Sequence, residues 1–96
     1  MFNGIIYNQG VIKSKTKNKN SLYLKIETNL NFNNKDIGTS ISCNGVCLTL
    51  TKILKKNIFF YLSKETLDKS NFKFIKKGDK INIEKSMRYG QEISGN

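Results

Sequence analysis

The sequence predicts an all-β protein, a six-stranded antiparallel Greek-key barrel with one short helix. Three observations predict it. Leu22, Leu24 and Ile26 alternate with Tyr23, Lys25 and Glu27, the period of two expected of a half-buried strand. Asn44-Gly45 lies between two alternating runs and is the strongest short signal for a two-residue hairpin turn. Further short apolar runs recur between turn signals, and strands this short most economically close into a barrel that leaves no open edge.

The 96 residues make one domain, 1–96, enough for a single modest core. No internal repeat is visible. Strand one spans Gly4 to Ile12 through Ile5, Ile6, Val11 and Ile12, with Asn8-Gln9-Gly10 marking a bulge or bend. Lys13 to Lys19, the densest basic run, reads as a solvated loop. Strand two follows over Leu22 to Glu27, and the Asn-rich stretch Asn29 to Asn34, carrying Leu30 and Phe32, is a surface connection leading to a turn at Asp36-Ile37-Gly38. Strands three and four form the Asn44-Gly45 hairpin. Ile58-Phe59-Phe60-Tyr61-Leu62 reads as strand five. Ser63 then caps a short helix, Lys64 to Lys69, whose Glu65 suits the helix dipole. Phe72, Phe74 and Ile75 supply a plug for one end of the core, Lys77-Gly78-Asp79 turns the chain, and Ile81 to Glu84 is strand six. The tail, residues 86–96, looks like a connector.

The hairpin fixes which side chains share a face. Cys43 falls opposite Val46, Ser42 opposite Cys47, Ile41 opposite Leu48 and Ser40 opposite Thr49. One face is apolar, with Ile41, Cys43, Val46, Leu48 and Leu50. The other carries only short hydroxyl and thiol groups: Ser40, Ser42, Cys47, Thr49 and Thr51. Two readings of that second face stand side by side, an outer face with good strand propensity and a shallow pocket wall offering short hydrogen-bonding groups to a polar small molecule.

Composition narrows the function classes. Seventeen basic against seven acidic residues give +10, which invites a nucleic-acid reading. Against it, Arg88 is the only arginine and the lysines are spread along the whole chain, whereas base-edge and bidentate phosphate recognition favour arginine forks. Nucleic acid is therefore not the expected partner. Histidine is absent, which removes the commonest general base and metal ligand. Cys43 and Cys47 fall on opposite faces, so they can neither bridge nor share a metal. Free thiols, no signal-peptide pattern and no membrane-spanning apolar run point to a cytoplasmic protein.

Several segments in order match one family. Met1-Phe2-Asn3-Gly4-Ile5-Ile6, Gly10-Val11, Gly38-x-Ser40-Ile41 running into Asn44-Gly45-Val46-Cys47-Leu48-Thr49, Lys64-Glu65-Thr66-Leu67, and Lys77-Gly78-Asp79 with Asn82-Ile83-Glu84 resemble the N-terminal lumazine-binding repeat of riboflavin synthase. The resemblance covers essentially the whole chain. It implies a barrel that binds 6,7-dimethyl-8-ribityllumazine and, paired with another barrel, moves a four-carbon unit between two such molecules to give riboflavin and a pyrimidinedione. It implies no metal and no cofactor, riboflavin or lumazine being the bound ligand.

Carried over by position, the resemblance implies substrate contacts at Gly4, Ile5 and Ile6, at Cys47, Leu48 and Thr49, and at Tyr61, Leu62, Ser63, Lys64, Glu65 and Thr66. It ties Cys47, Ser40 and Phe2 to catalysis. Blander roles remain open for several of them: Phe2 as barrel-end filler, Glu65 as a helix charge, Thr66 as a local cap and Cys47 as an inert thiol. The family carries two repeats per chain and a histidine after the glycine that corresponds to Gly95; Asn96 stands there. The expectations are a truncated half, a barrel that dimerises to recreate a two-site interface, or a lumazine- or flavin-binding protein without chemistry.

Overall fold

A computed structural model describes residues 8–85. Six antiparallel strands, β1 (Gln9–Asn18), β2 (Ser21–Thr28), β3 (Ser40–Cys43), β4 (Val46–Leu54), β5 (Asn57–Leu62) and β6 (Lys80–Lys85), close in the order β1-β2-β5-β4-β3-β6. A short helix, α1 (Lys64–Asp68), follows β5. Strands β3, β4 and β5 form a meander and β6 returns beside β3, which is the Greek-key pattern. The β1–β6 pairing closes the ring.

Alternation builds the interior. Leu22, Leu24 and Ile26 of β2, Ile41 and Cys43 of β3, Leu48 and Leu50 of β4, and Ile58, Phe60 and Leu62 of β5 all point inward and are buried. Phe60 is the largest of these fully buried side chains, and cutting it to Ala would cost about 3–5 kcal/mol by transfer and cavity effects together. Gly10 shows where packing demands the absence of a side chain. A Cβ there would sit 2.5 Å from Ile26 Cγ2 and 2.7 Å from Ile83 Cδ1.

The hairpin folds as its sequence indicates. Asn44 and Gly45 both take positive φ (52° and 83°), as the tight turn requires, and the register pairs Cys43 with Val46, Ser42 with Cys47, Ile41 with Leu48 and Ser40 with Thr49. Asn44 Oδ1 also accepts the Asn82 N–H at 2.7 Å, tying the turn to β6. The connection after β2 is held by a reciprocal cap. Asn33 Oδ1 accepts from Lys35 N–H while Asp36 Oδ2 accepts from Asn33 N–H, both at 2.9 Å, ahead of a 3₁₀ turn over Asn34–Asp36.

Three expectations need correction. Lys13 to Lys19 is not a loop: β1 runs through Asn18, pairing Lys15 with Leu24 and Lys17 with Leu22. Its irregularity falls between Ile12 and Ser14, beyond Gly10, because the extra residue there re-aims the strand as it leaves the core. Thr51 stays exposed with the outer face, although the register slips between Leu50 and Lys52 and its hydroxyl donates to Phe59 O at 3.1 Å. Of the proposed plug, Phe72 is buried and Ile75 packs against the core, but Phe74 is 69% exposed because its 3₁₀ turn (Phe72–Phe74) can turn only one ring inward. The connector, 86–96, lies outside the described residues.

Candidate functional site

Of the predicted residues that can be placed, Cys47, Thr49, Tyr61 and Ser63 to Thr66 lie along β4, β5 and α1, Ser40 lies on β3, and Leu48 and Leu62 point into the core. Thr49 lies opposite Tyr61, and among the described residues the β4–β5 ladder stops at that pair while β4 continues back to Val46. Beyond it β5 ends and the chain turns into α1. Among the described residues this leaves a gap in the ladder between two strands that are neighbours elsewhere.

Printed hydrogen bonds show what faces that gap. Leu50 donates to Thr39 O (3.0 Å) and accepts from Gly38 N–H (2.7 Å), so its backbone groups point to the β3 side. Antiparallel alternation then turns the N–H and C=O of Thr49 and of Cys47 to the β5 side. Those of Thr49 meet Tyr61. Those of Cys47 turn toward that gap, presenting a donor nitrogen and an acceptor oxygen three bonds apart.

On the far side of the gap the Ser63 hydroxyl caps α1, accepting from Thr66 N–H at 3.3 Å and lying 3.2 Å from the Thr66 hydroxyl. Ser63 and Thr66 thus form a small hydroxyl cluster. Lys64 and Glu65 are spent on exposed pairs along the helix, Lys64 with Asp68 at 2.7 Å and Lys69 with Glu65 at 2.9 Å. The hydrogen bond to Asp68 holds the Lys64 ammonium above its ordinary pKa and the Asp68 carboxyl below its own. Water screens both pairs, so either partner can turn to a ligand at small cost.

The two leucines serve differently from their neighbours. Leu48 and Leu62 are buried in the core, and their backbones pair with Ile41 of β3 and Leu22 of β2. Tyr61 and Tyr23 stand on the outer surface with ring centroids 5.3 Å apart and planes at 55°, an apolar wall with two phenol groups. Next to them Asn18, Lys19, Asn20, Ser21, Tyr61 and Lys64 border an open concavity of about 370 Å³. Alternation in β2 could have singled out Tyr23, as the partner of Tyr61. Asn18, Asn20 and Ser21 carry no such signal, because Asn18 lies within the run that reads as a loop and the other two follow it directly.

The short-hydroxyl face is on the outside, with Ser40, Cys47 and Thr49 exposed and Ser42 half-buried. A concavity bordered by Asn71, Phe72, Phe74, Ile75, Asp79 and Lys80 touches the hairpin through Asn44. The two cysteines are both free thiols, Cys43 inside and Cys47 outside. Burial, reinforced by Cys47 nearby, pushes the Cys43 thiol up to about 12, which leaves it protonated and inert. Phe2, Gly4, Ile5, Ile6 and Asn96 lie outside the described residues. No group of three or more Cys, Asp or Glu gathers for a metal among the described residues, and no helix there is long and apolar enough to cross a membrane.

Comparison with known proteins decides the family. Residues 3–86 match the family model described as the lumazine binding domain. This chain belongs to the lumazine-binding domain family. It is 35% identical over 96 residues to riboflavin synthase of Buchnera aphidicola subsp. Baizongia pistaciae, and 32% over 95 residues to that of Bacillus subtilis. Those alignments take in 99% of this chain but only 45% and 44% of the relatives, so the chain spans less than half the length of the synthases it matches. Among solved structures, LumP complexed with 6,7-dimethyl-8-(1'-D-ribityl) lumazine superposes with a TM-score of 0.70 at 26% identity, over 94% of this chain and 50% of that one. LumP complexed with riboflavin gives 0.69 at 27%, over 88% and 46%. In those complexes riboflavin and ribityllumazine are the ligands, and about half of the LumP chain shares the fold described here.

Proposed function

We propose that this domain binds 6,7-dimethyl-8-ribityllumazine at the β4–β5–α1 gap and, paired with another barrel, converts two such molecules to riboflavin and a pyrimidinedione. The observation that supports this reading is that, among the described residues, the β4–β5 ladder ends at Thr49–Tyr61, with the Cys47 backbone turned to the β5 side and the Ser63 and Thr66 hydroxyls following the end of β5. A pteridine edge alternates carbonyl and ring nitrogen, and an exposed strand edge offers the matching donor and acceptor. Ser63, Thr66 and Thr49 suit ribityl hydroxyls, Lys64 and Glu65 extend that polar wall, and Tyr61 flanks the ring. Gly4, Ile5 and Ile6 would add backbone contacts from the first segment.

In this reading most of the rate comes from alignment. Holding two reactants in register replaces up to roughly 7–11 kcal/mol of barrier. Cys47, exposed and adjacent, assists proton or nucleophile steps during four-carbon transfer, with Ser40 and Phe2 supporting the same centre. The second site comes from a second barrel, either another copy in a two-fold pair or a further domain. The compartment we assign is the cytoplasm, where both thiols stay reduced.

A second reading, binding without conversion, is supported by the LumP complexes at 26% and 27% identity. One experiment separates the two. Purified protein is mixed with ribityllumazine, and both bound-ligand and riboflavin fluorescence are followed. Binding with riboflavin release supports the synthase reading, binding alone leaves the carrier, and no binding sinks both.

A further inference from the structure

The second half of β1 carries lysine where a barrel strand normally carries an apolar residue. Lys15 lies opposite Leu24 and Lys17 opposite Leu22, and both leucines are buried. Facing residues in an antiparallel pair point to the same side. Both lysines therefore project toward the inner face at one mouth of the barrel, under α1 and the segment that follows it.

Lys15 is fixed there. Its ammonium donates to Lys73 O at 2.7 Å and to Ile75 O at 2.9 Å, which uses two of its three donors on neutral carbonyls. Lys17, Lys19, Lys64 and Lys73 border the same hollow, of about 300 Å³, with Leu22 and Leu67 at its wall. The one carboxylate on its lining is Asp68, already held by Lys64 at 2.7 Å. Five lysines thus line one cavity against a single, engaged carboxylate; with Lys15 held on carbonyls, Lys64 on Asp68 and the Lys73 ammonium 5.5 Å from the Phe74 ring centroid, the lining keeps an excess of positive charge whose mutual repulsion an anion would relieve.

We propose that this hollow is an anion site for a phosphate-class dianion, free or as the monoester of a small polyol. Compact ammonium charges approaching from several sides suit tetrahedral oxygens, whereas a planar carboxylate is better matched by an arginine fork. A dianion gains twice the attraction of a monoanion from the same lysines. The lysines ring a cavity instead of tracking a groove, which distinguishes the site from a nucleic-acid channel. Nothing in this argument depends on lumazine binding.

The test is a backbone-amide NMR titration of the chain with inorganic phosphate, ribitol 5-phosphate and ribitol, each against sodium chloride at matched ionic strength. Saturable shifts are expected around Asn18–Leu22 and Leu67–Ile75 with either phosphate probe and none with ribitol. Lys17→Gln and Lys73→Gln, both exposed and each keeping a dispersed spectrum, should weaken binding about two- to fivefold, the value of one exposed ion pair. A response to the ester alone places the source in a phosphorylated ligand; a response to both shows that the phosphate group suffices. The proposal is overturned if sodium chloride reproduces the shifts, if neither substitution changes affinity, or if a single-stranded oligonucleotide binds at 0.15 M salt while both phosphate probes do not.

Discussion

Cys43 and Cys47 are four positions apart in sequence and chemically opposite. One packs in the core and the other stands on the surface. A maleimide should label one thiol rapidly in the native protein and two after denaturation, as read by mass spectrometry; two native labels would contradict the buried position of Cys43. The same burial makes a pH prediction. The folded-state pKa of Cys43, about 12, lies above the unfolded value of 9.0, so its contribution to stability is complete below pH 9 and is lost as pH rises toward 12. The loss approaches about 1.4 kcal/mol per pH unit over that window. Because lysines and tyrosines also titrate there, the measurement is a difference. Urea midpoints between pH 9 and 11 should fall more steeply for the native sequence than for Cys43→Ala, and parallel slopes would refute the assignment. At Gly10, substitution by Ala forces Ile26 and Ile83 to move, with an expected cost of about 1–3 kcal/mol in chemical unfolding.

The helix α1 is only Lys64–Asp68, too short to hold itself, so its Ser63 cap and its packing keep it in place. Ser63→Ala should cost about 1 kcal/mol of stability and weaken ribityllumazine binding more than Lys64→Gln does, because the cap also positions Thr66. Equal affinities for the two variants, measured by fluorescence titration, would move the ligand away from this junction. The elements most legible in the sequence were those with local chemistry: the hairpin, whose Asn44 and Gly45 both need positive φ, the Ser63 cap, and the strict alternation of β2. Strand β1 was misread for a physical reason. Its inward positions past the bulge hold Lys15 and Lys17, which meet carbonyls and an open hollow at the barrel mouth, so the period of two survives without an apolar face to reveal it. The candidate site was partly legible for the same reason. Thr49 could be placed from alternation and Ser63 and Thr66 only through the family resemblance, and the gap where β4 outruns β5 depends on where two ladders stop, which neither strand encodes alone.

Charge and pairing act in opposite directions across the barrel. A single barrel carrying +10 repels a second copy, and screening shortens that repulsion from a range of about 30 Å at 0.01 M salt to about 8 Å at 0.15 M. If two copies meet over facing lumazine sites, added salt should strengthen self-association while it weakens anion capture in the lysine-lined hollow. Ligand should act with salt: lumazine held between two barrels binds the pair better than the single copy, so linkage requires it to shift the equilibrium toward the pair. Sedimentation velocity across salt and ribityllumazine concentration reads both effects at once. Growth of the dimer with each, accompanied by riboflavin release, is the expected result for a barrel that recreates a two-site interface with itself. Saturated ligand binding on a monomer that salt leaves unchanged would show that the partner barrel is a different chain or that binding is the end of the process.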